Sequence, residues 1–254
     1  MDETVHGNIN PTIFEHIPSM DRPELILAND PRFKQLLMLY ECAIMQVNTK
    51  LQVLNNEFSH TFKRNPIESI KSRIKTPESI WEKLMRRNLP IEPSAIERDL
   101  TDIAGIRVIC PFQDDIYNIA ELLISQDDIS LVEKKDYIKN PKPNGYRSLH
   151  LIIEVPIYLA TGKKFMKVEV QLRTIAMDFW ASLDHKLRYK QNIVNADEII
   201  AELKECADIT LASARAASWT NSIWLFSRAA SVALAAARRA TVRMVPSAGF
   251  MTAL

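Results

Sequence analysis

The feature that most constrains the fold is a strict alternation of apolar and polar side chains over residues 166–173. The apolar members are Met166, Val168, Val170 and Leu172, and the polar members are Lys167, Glu169, Gln171 and Arg173. Such alternation predicts a β-strand that has one face in a core. The segment 149–155 alternates in the same way, with His150 and Glu154 on its polar side, and Thr161-Gly162 supplies a hairpin-like turn between the two segments. Two neighbouring strands would then present polar groups to one surface, which suggests the floor of a cleft, although a solvated outer face would have the same pattern.

The rest of the chain predicts helices around further strands. Apolar residues recur at helical spacing from Phe33 to Leu54, which predicts one long amphipathic helix. A second helix is expected to begin at Pro77, with Thr76 as its N-cap, and to end at about Arg87. Further strands are expected at 106–110 and 129–138, and further helices at 114–125, 176–187 and 197–208. This mixture predicts an α+β fold with one central sheet.

Composition and sequence give no support for a nucleic-acid-binding, a disulfide-stabilised or a membrane protein. The 254 residues carry 32 Lys and Arg against 31 Asp and Glu, so the whole chain gives no electrostatic argument for binding nucleic acid. The three cysteines are too far apart to form a CxxC pair, and reduced thiols are the simplest interpretation. The start Met1-Asp2-Glu3 is acidic, and neither an apolar signal region nor a run of about 18 apolar residues follows, so a cytoplasmic protein without membrane contact is expected.

The chain divides into three regions by composition. Residues 1–30 contain scattered prolines and predict a loosely ordered arm, and residues 31–208 predict the main domain. Residues 209–254 are rich in alanine and contain arginine but neither lysine nor acidic residues. The abrupt change favours a non-native end, such as a shifted reading frame or a cloning scar, while a membrane-surface or nucleic-acid-binding tail is the alternative.

A loop at 140–150 has the composition of a nucleotide-binding element. Two prolines stiffen it, Gly145 permits a positive φ, and the loop presents Lys142, Tyr146 and Arg147 just before the His150 strand. An aromatic ring beside a cation suits a nucleotide, because the base can stack while the phosphates pair with the cation. A rigid turn with a half-buried tyrosine is the alternative interpretation.

Two other groups of residues could complete such a site. Asp102, at the entry to the predicted 106–110 strand, could hold Mg²⁺ together with Glu169, since this ion prefers one or two carboxylates plus substrate phosphates. Asp102 could equally be a turn or cap residue. The basic stretch 64–75 would be a solvated face unless it lies opposite the sheet. The motifs GxxxxGK[ST], GxGxxG, HExxH and GxSxG do not occur, which excludes a P-loop, and no histidine is followed directly by aspartate, the order of a His-Asp pair.

Three of these segments together resemble the synthetase domain of the RelA/SpoT family. They are 102–107 (DIAGIR), 140–150 (NPKPNGYRSLH) and 168–174 (VEVQLRT). The size and the Arg73-Ile74-Lys75 element are similar to those of the stand-alone small alarmone synthetases, and the resemblance covers about residues 33–208. It implies a nucleotidyltransferase-like mixed sheet of about five strands flanked by helices. It also implies transfer of pyrophosphate from ATP to the 3′-hydroxyl of GTP or GDP, giving AMP and the alarmone pppGpp or ppGpp.

The resemblance also implies roles for individual residues. Asp102 and Glu169 resemble the Mg²⁺ ligands, and Glu169 also resembles the residue that activates the 3′-hydroxyl. The positions that resemble ATP-binding residues are Arg73, Lys75 and Arg107. The positions that resemble residues around the guanosine nucleotide are Tyr146, which would stack on guanine, and Lys142, Asn144, His150, Gln171 and Arg173. A homotetramer is implied as well, although residues 209–254 depart from the family's helical ending, and some relatives bind single-stranded RNA.

Other functions remain open at this point. The absence of a His-Asp pair predicts synthesis without hydrolysis of the alarmone. Some relatives use tRNA or adenine nucleotides as the acceptor of pyrophosphate. A catalytically inactive nucleotide- or RNA-binding regulator is a third possibility, disfavoured by the presence of Asp102 and Glu169. A protein held at a membrane surface by residues 209–254 is a fourth.

Overall fold

The computed structural model describes residues 24–61 and 64–189, together with residues 202, 204 and 205. Five strands form one sheet in the order β1-β2-β5-β4-β3. Their bounds are β1 Ser69–Ile74, β2 Ala104–Cys110, β3 Ser130–Asp136, β4 Leu149–Leu159 and β5 Gly162–Thr174. The pair β2·β5 is parallel and the other three pairs are antiparallel. The predicted α+β fold, a mixed sheet of about five strands flanked by helices, is therefore confirmed.

Six helices surround this sheet in the described part of the chain. They are α1 Glu24–Asn29, α2 Pro31–Thr61, α3 Pro77–Arg86, α4 Pro93–Asp99, α5 Gln113–Ile124 and α6 Ile175–Tyr189. The long amphipathic helix is confirmed as α2, and Phe33, Val47 and Leu51 of its apolar stripe are fully buried. The predicted cap of α3 is also confirmed, since Thr76 Oγ1 accepts a hydrogen bond from the Ser79 amide at 3.3 Å.

The two faces of the sheet have different roles. On β5, Val168, Val170 and Leu172 are fully buried, and helices α2 and α5 pack against the sheet. The side chains of Glu169 and Gln171 point to the opposite face because successive residues of a strand alternate. Covering one face with α2 and α5 therefore leaves the polar face of β4 and β5 available for a site.

Three elements differ from the sequence expectations. Strand β1 lies within the basic stretch 64–75, so this stretch is an edge of the sheet rather than a surface opposite it. Helix α4 was not predicted, because seven residues are too few for a helical period to stand out. Helix α1 lies within the predicted loose arm, and its Leu27 is 3% exposed.

Some predictions fall outside the described residues. These are the arm before residue 24, all of the 209–254 tail, and the helix predicted at 197–208 apart from residues 202, 204 and 205. Among the described helices, none combines the length and the apolar character needed to cross a membrane.

Candidate active site

The floor of the candidate site consists of two rows of residues that run across the strands. One row joins Arg73, Gly105, Glu169 and Ile152, and the next joins Lys71, Arg107, Gln171 and His150. Residues opposite one another in a sheet project their side chains to the same face. The register therefore brings the predicted ATP-side arginines onto the same surface as the predicted acceptor-side residues.

An open cavity of about 220 Å³ lies over this floor, at the β1, β2 and β5 side. Its lining residues are Lys71, Ser72, Arg73, Asp102, Gly105, Ile106, Arg107, Glu169 and Gln171. A Cβ atom added at Gly105 would lie 3.8 Å from Arg73 Cγ. The missing side chain at this glycine therefore keeps open the middle of the floor, between Arg73 and Glu169.

Asp102 is held between two lysines at one end of the cavity. Its Oδ2 lies 2.9 Å from Lys75 Nζ, and its Oδ1 lies 2.6 Å from Lys83 Nζ. Burial alone would raise the pKa of Asp102, but the hydrogen bonds and positive charges of Lys83 and Lys75 outweigh burial and lower it. Lys83 was not identified from the sequence, because its position on α3 carries no motif that distinguishes it from a surface lysine.

Both carboxylate oxygens of Glu169 contact a neighbouring side chain. Its Oε1 lies 3.0 Å from His150 Nδ1, and its Oε2 accepts a hydrogen bond from Gln171 Nε2 at 2.7 Å. Burial favours a higher pKa for Glu169, but the hydrogen bonds that it accepts from His150 and Gln171 contribute to lowering the pKa overall. Glu169 is therefore ionised at neutral pH, which suits a ligand for cations and makes it a weak base.

These contacts belong to a closed ring of five side chains: Glu169, His150, Tyr146, Arg173 and Gln171. Tyr146 Oη lies 2.8 Å from His150 Nε2 and accepts a hydrogen bond from Arg173 Nη2 at 2.7 Å. The same Nη2 donates to Gln171 Oε1 at 2.8 Å. A neutral His150 with its proton on Nδ1 satisfies every donor and acceptor, since Nε2 then accepts from the Tyr146 hydroxyl. We call this set the polar ring.

Arg173 is the buried anchor of the polar ring. Its side chain is 5% exposed. Its guanidinium also donates to Ser148 Oγ at 3.4 Å and to Asp178 Oδ1 at 3.0 Å. The guanidinium of Arg173 is therefore occupied by hydrogen bonds to protein atoms.

Tyr146, in the 140–148 loop, has aromatic and cationic groups around its ring. Lys142 Nζ lies 5.0 Å from the centre of the Tyr146 ring and 4.8 Å from that of Tyr137. Asn144 accepts a hydrogen bond from the Tyr146 amide at 3.3 Å, which shapes the loop, and Gly145 has the predicted positive φ of 85°. Tyr137 was missed by the sequence analysis, because nothing in the pattern separates it from an ordinary residue after strand β3.

The predicted site residues thus form two neighbouring groups on one sheet. Arg73, Lys75 and Arg107, with Lys83, form what we call the cationic group. The polar ring lies beside it, and Lys142 and Asn144 flank the ring. Asp102 and Glu169 line the same cavity. In the part of the chain that the structure describes, no cluster of three or more metal-ligating side chains occurs.

Comparison with known proteins gives a consistent result. The family described as a region found in RelA / SpoT proteins matches residues 72–194. GTP pyrophosphokinase YwaC of Bacillus subtilis is 47% identical over 177 residues, which cover 70% of this chain and 84% of that protein. GTP pyrophosphokinase YjbM of the same organism is 37% identical over 162 residues, covering 64% of this chain and 75% of the relative.

Solved structures agree with these matches. Small alarmone synthetase 2 from Bacillus subtilis has a TM-score of 0.65 at 45% identity, covering 72% of this chain and 94% of that one. Small alarmone synthetase 1 from the same organism, bound to its product pppGpp, has a TM-score of 0.69 at 32% identity, covering 76% of this chain and 97% of that one. The chain therefore belongs to the RelA/SpoT family and is a homologue of the small alarmone synthetases.

Proposed function

We propose that this protein transfers pyrophosphate from ATP to the 3′-hydroxyl of GTP or GDP, releasing AMP and forming pppGpp or ppGpp. The observation that carries the proposal is the arrangement of the sheet surface. Arginines suited to ATP line the cavity beside Glu169, and a tyrosine suited to a base is linked to the same Glu169 through His150, so the two nucleotides could meet at this carboxylate. The names of the matched relatives support the same reaction.

ATP would bind over the cationic group. Arg73 is exposed and Arg107 half-buried, and both line the cavity, so they could clamp the adenine and the phosphates. Lys75 and Lys83 together bring two positive charges to the single carboxylate of Asp102. The excess positive charge at this end favours a polyphosphate.

The guanosine nucleotide would bind over the polar ring. Guanine would stack on Tyr146, and Lys142, which lies close to that ring, would meet the 5′-phosphates. His150 and Gln171 would hold Glu169 toward the 3′-hydroxyl. Asn144 would keep the loop in the conformation that presents Tyr146.

The chemistry consists of one displacement at phosphorus. The 3′-oxygen of the acceptor forms a bond to the β-phosphorus of ATP, and the bond from that phosphorus to the oxygen bridging the α- and β-phosphates breaks, so AMP leaves. The proton of the 3′-hydroxyl passes to Glu169 or to solvent. Reactions of this type depend on positioning and charge neutralisation, and a positioned base adds about 10²–10⁴-fold. Positioning by Glu169 would therefore count for more than its basicity.

Mg²⁺ is the cofactor that we propose for this reaction. Asp102 and Glu169 fit the ion because both line the cavity, both have lowered pKa values and both offer hard oxygen ligands. When bound, the ion would neutralise phosphate charge. Asp102 would exchange part of its pairing with Lys75 and Lys83 for the ion, which would free these lysines for phosphate.

An acceptor panel tests the proposed function. The purified protein is incubated with ATP, Mg²⁺ and either GDP, GTP, excess ATP or tRNA, and the products are separated by anion exchange. We expect AMP to form one-for-one with a guanosine tetra- or pentaphosphate. If product forms only with tRNA or adenine nucleotides, that molecule is the acceptor instead of GDP or GTP. Binding of nucleotides without any product would indicate an inactive regulator. Mn²⁺-dependent breakdown of ppGpp by the protein would contradict synthesis without hydrolysis.

Further expectations from the family remain predictions. We propose that the protein acts in the cytoplasm, where ATP and GTP are both available, and that it forms a homotetramer. Sedimentation of the full chain and of a variant lacking residues 209–254 would test the assembly and the influence of the tail on it. Binding of single-stranded RNA, and of liposomes through residues 209–254, can be measured with the same pair of proteins.

A further inference from the structure

Asp178 lies between the two groups of the site and takes no part in the proposed transfer of pyrophosphate. It lies in the first turn of α6, the helix that follows β5 directly. Its Oδ1 is 3.0 Å from Arg173 Nη1 and also 3.0 Å from Arg107 Nη1. A single carboxylate oxygen therefore holds one arginine of the polar ring and one arginine of the cationic group.

The two arginines differ in how firmly they are held. Arg173 is buried and keeps Tyr146, Gln171 and Ser148 as partners besides Asp178. The side chain of Arg107 is 31% exposed, and its Nε is buried without a hydrogen-bond partner among the described residues. Among the described residues, Arg107 forms an ion pair with Asp178.

The ion pair with Asp178 offsets the repulsion between Arg107 and the neighbouring arginines. Burial lowers the pKa of Arg107, and the positive charges of Arg173 and Arg73 lower it further, whereas the charge of Asp178 acts in the opposite direction. Without a negative charge at position 178, the positive charges of Arg173 and Arg73 would act on Arg107 uncompensated by Asp178. Its side chain would then be driven from the floor of the cavity toward solvent.

We infer that Asp178 is a positioning residue that uses the buried Arg173 as an anchor to hold Arg107 in the orientation that receives ATP. The inference rests on the proposed function, because it assigns Arg107 to ATP. Asp178 itself need not touch either nucleotide. Its effect on ATP should therefore depend entirely on the presence of Arg107.

A double-mutant cycle tests this inference. Binding of α,β-methylene-ATP, with Mg²⁺ present, is measured by calorimetry for the unchanged protein, Asp178→Asn, Arg107→Ala and the double variant. Asn keeps the shape of Asp178 but removes its charge, so we expect affinity for the analogue to fall about tenfold. In the Arg107→Ala background, Asp178→Asn should change the affinity less than twofold, roughly the limit of additivity between independent sites. Affinity for GDP should change little, because Arg173 keeps three other partners.

Two further variants show whether Asp178→Asn weakens binding because Arg107 is misplaced or because the protein is less well folded. Asp128→Asn makes the same chemical change in an ion pair with Lys50 and should bind the analogue normally. Asp178→Glu keeps the charge and should recover part of the lost affinity. Equal losses from Asp178→Asn with and without Arg107, unchanged affinity in Asp178→Asn, or parallel losses for both nucleotides would overturn the inference. Failure of the unchanged protein to bind the analogue would instead overturn the proposed function and this inference with it.

Discussion

The cationic group and the polar ring share one sheet surface but are held in different ways. In the cationic group, Arg73 is exposed, Arg107 is 31% exposed, and the positive charges outnumber their acidic partners. In the polar ring, Arg173 is 5% and His150 10% exposed, and every member hydrogen-bonds to two others. One group offers unsatisfied charge to a ligand, whereas the other satisfies its own polar atoms.

This difference predicts different responses to mutation. Removing Arg73, the exposed member of the cationic group, should weaken the interaction with ATP and leave the fold intact, because exposed charges contribute little to stability. Removing one member of the polar ring leaves a buried partner unsatisfied, which costs stability as well as activity. Four substitutions, ordered from the largest expected effect to the smallest, test the contrast.

The largest effect is expected from Glu169→Gln. The amide removes the negative charge, and its nitrogen cannot accept the hydrogen bond from Gln171, so turnover should fall about 10²–10⁴-fold while both nucleotides still bind. Single-turnover assays and calorimetry measure the two effects separately. The matched control is Glu154→Gln, the same change on the neighbouring strand β4. Loss of binding together with turnover would make Glu169 mainly a structural or metal-holding residue.

Tyr146→Phe should open the polar ring while preserving the aromatic face for guanine. His150 and Arg173 each lose a hydrogen-bond partner, so the free energy of unfolding should fall by about 1–3 kcal/mol and turnover should fall with it. Chemical denaturation and steady-state kinetics provide the two measurements. Tyr158→Phe removes the hydroxyl of a 70% exposed tyrosine and should change neither quantity. A normal unfolding free energy in Tyr146→Phe would show that the ring contributes nothing to stability.

Arg73→Ala should affect ATP alone. Because Arg73 is exposed at the cavity, its loss should raise KM for ATP about tenfold, in line with about 1.5–3 kcal/mol for a hydrogen bond to a charged group. The melting temperature and KM for GDP should stay unchanged. Arg98→Ala removes a comparably exposed arginine, paired with Asp99, and serves as the control. A higher KM for GDP instead would assign Arg73 to the acceptor.

The smallest effect is expected from Gly105→Ala. Its new methyl group would make only ordinary contact with Arg73, so stability should change by less than about 0.5 kcal/mol, while KM for ATP rises a few-fold because the cavity floor is raised. Gly162→Ala provides the contrast, since φ is 126° there and nothing lies within 4 Å. That variant should lose about 1 kcal/mol of stability and keep normal kinetics. Unaltered kinetics in Gly105→Ala would indicate that ATP does not approach this part of the floor.

The strands of the hairpin and their polar faces could be predicted from the sequence, but the turn lies at residues 160 and 161, one position before the predicted Thr161-Gly162. Leu159 pairs with Gly162, and the same register puts His150 opposite Gln171 and next to Glu169 along the polar face. Alternation alone then assigns the faces. The helical period of α2 and the cap at Thr76 were equally local signals, and both were confirmed.

The missed features depend on packing between distant segments. Strand β1 has only two apolar residues, Ile70 and Ile74, because it is an edge strand with one face on the cavity, so no alternation marks it. The pairing of Lys83 with Asp102 depends on how α3 sits against the sheet, and the contacts of Asp178 depend on how α6 follows β5. No spacing in the sequence encodes such contacts.

Tracing the phosphorus atoms of ATP tests the central claim most directly. Three reactions are run with GDP and ATP labelled at the α-, β- or γ-phosphate, and the products are separated by anion exchange. Transfer of an intact pyrophosphate predicts that the β- and γ-labels both enter the guanosine product in equal amounts and that the α-label appears only in AMP. Entry of the γ-label alone, with formation of ADP, or entry of the α-label into the guanosine product would contradict the proposed reaction.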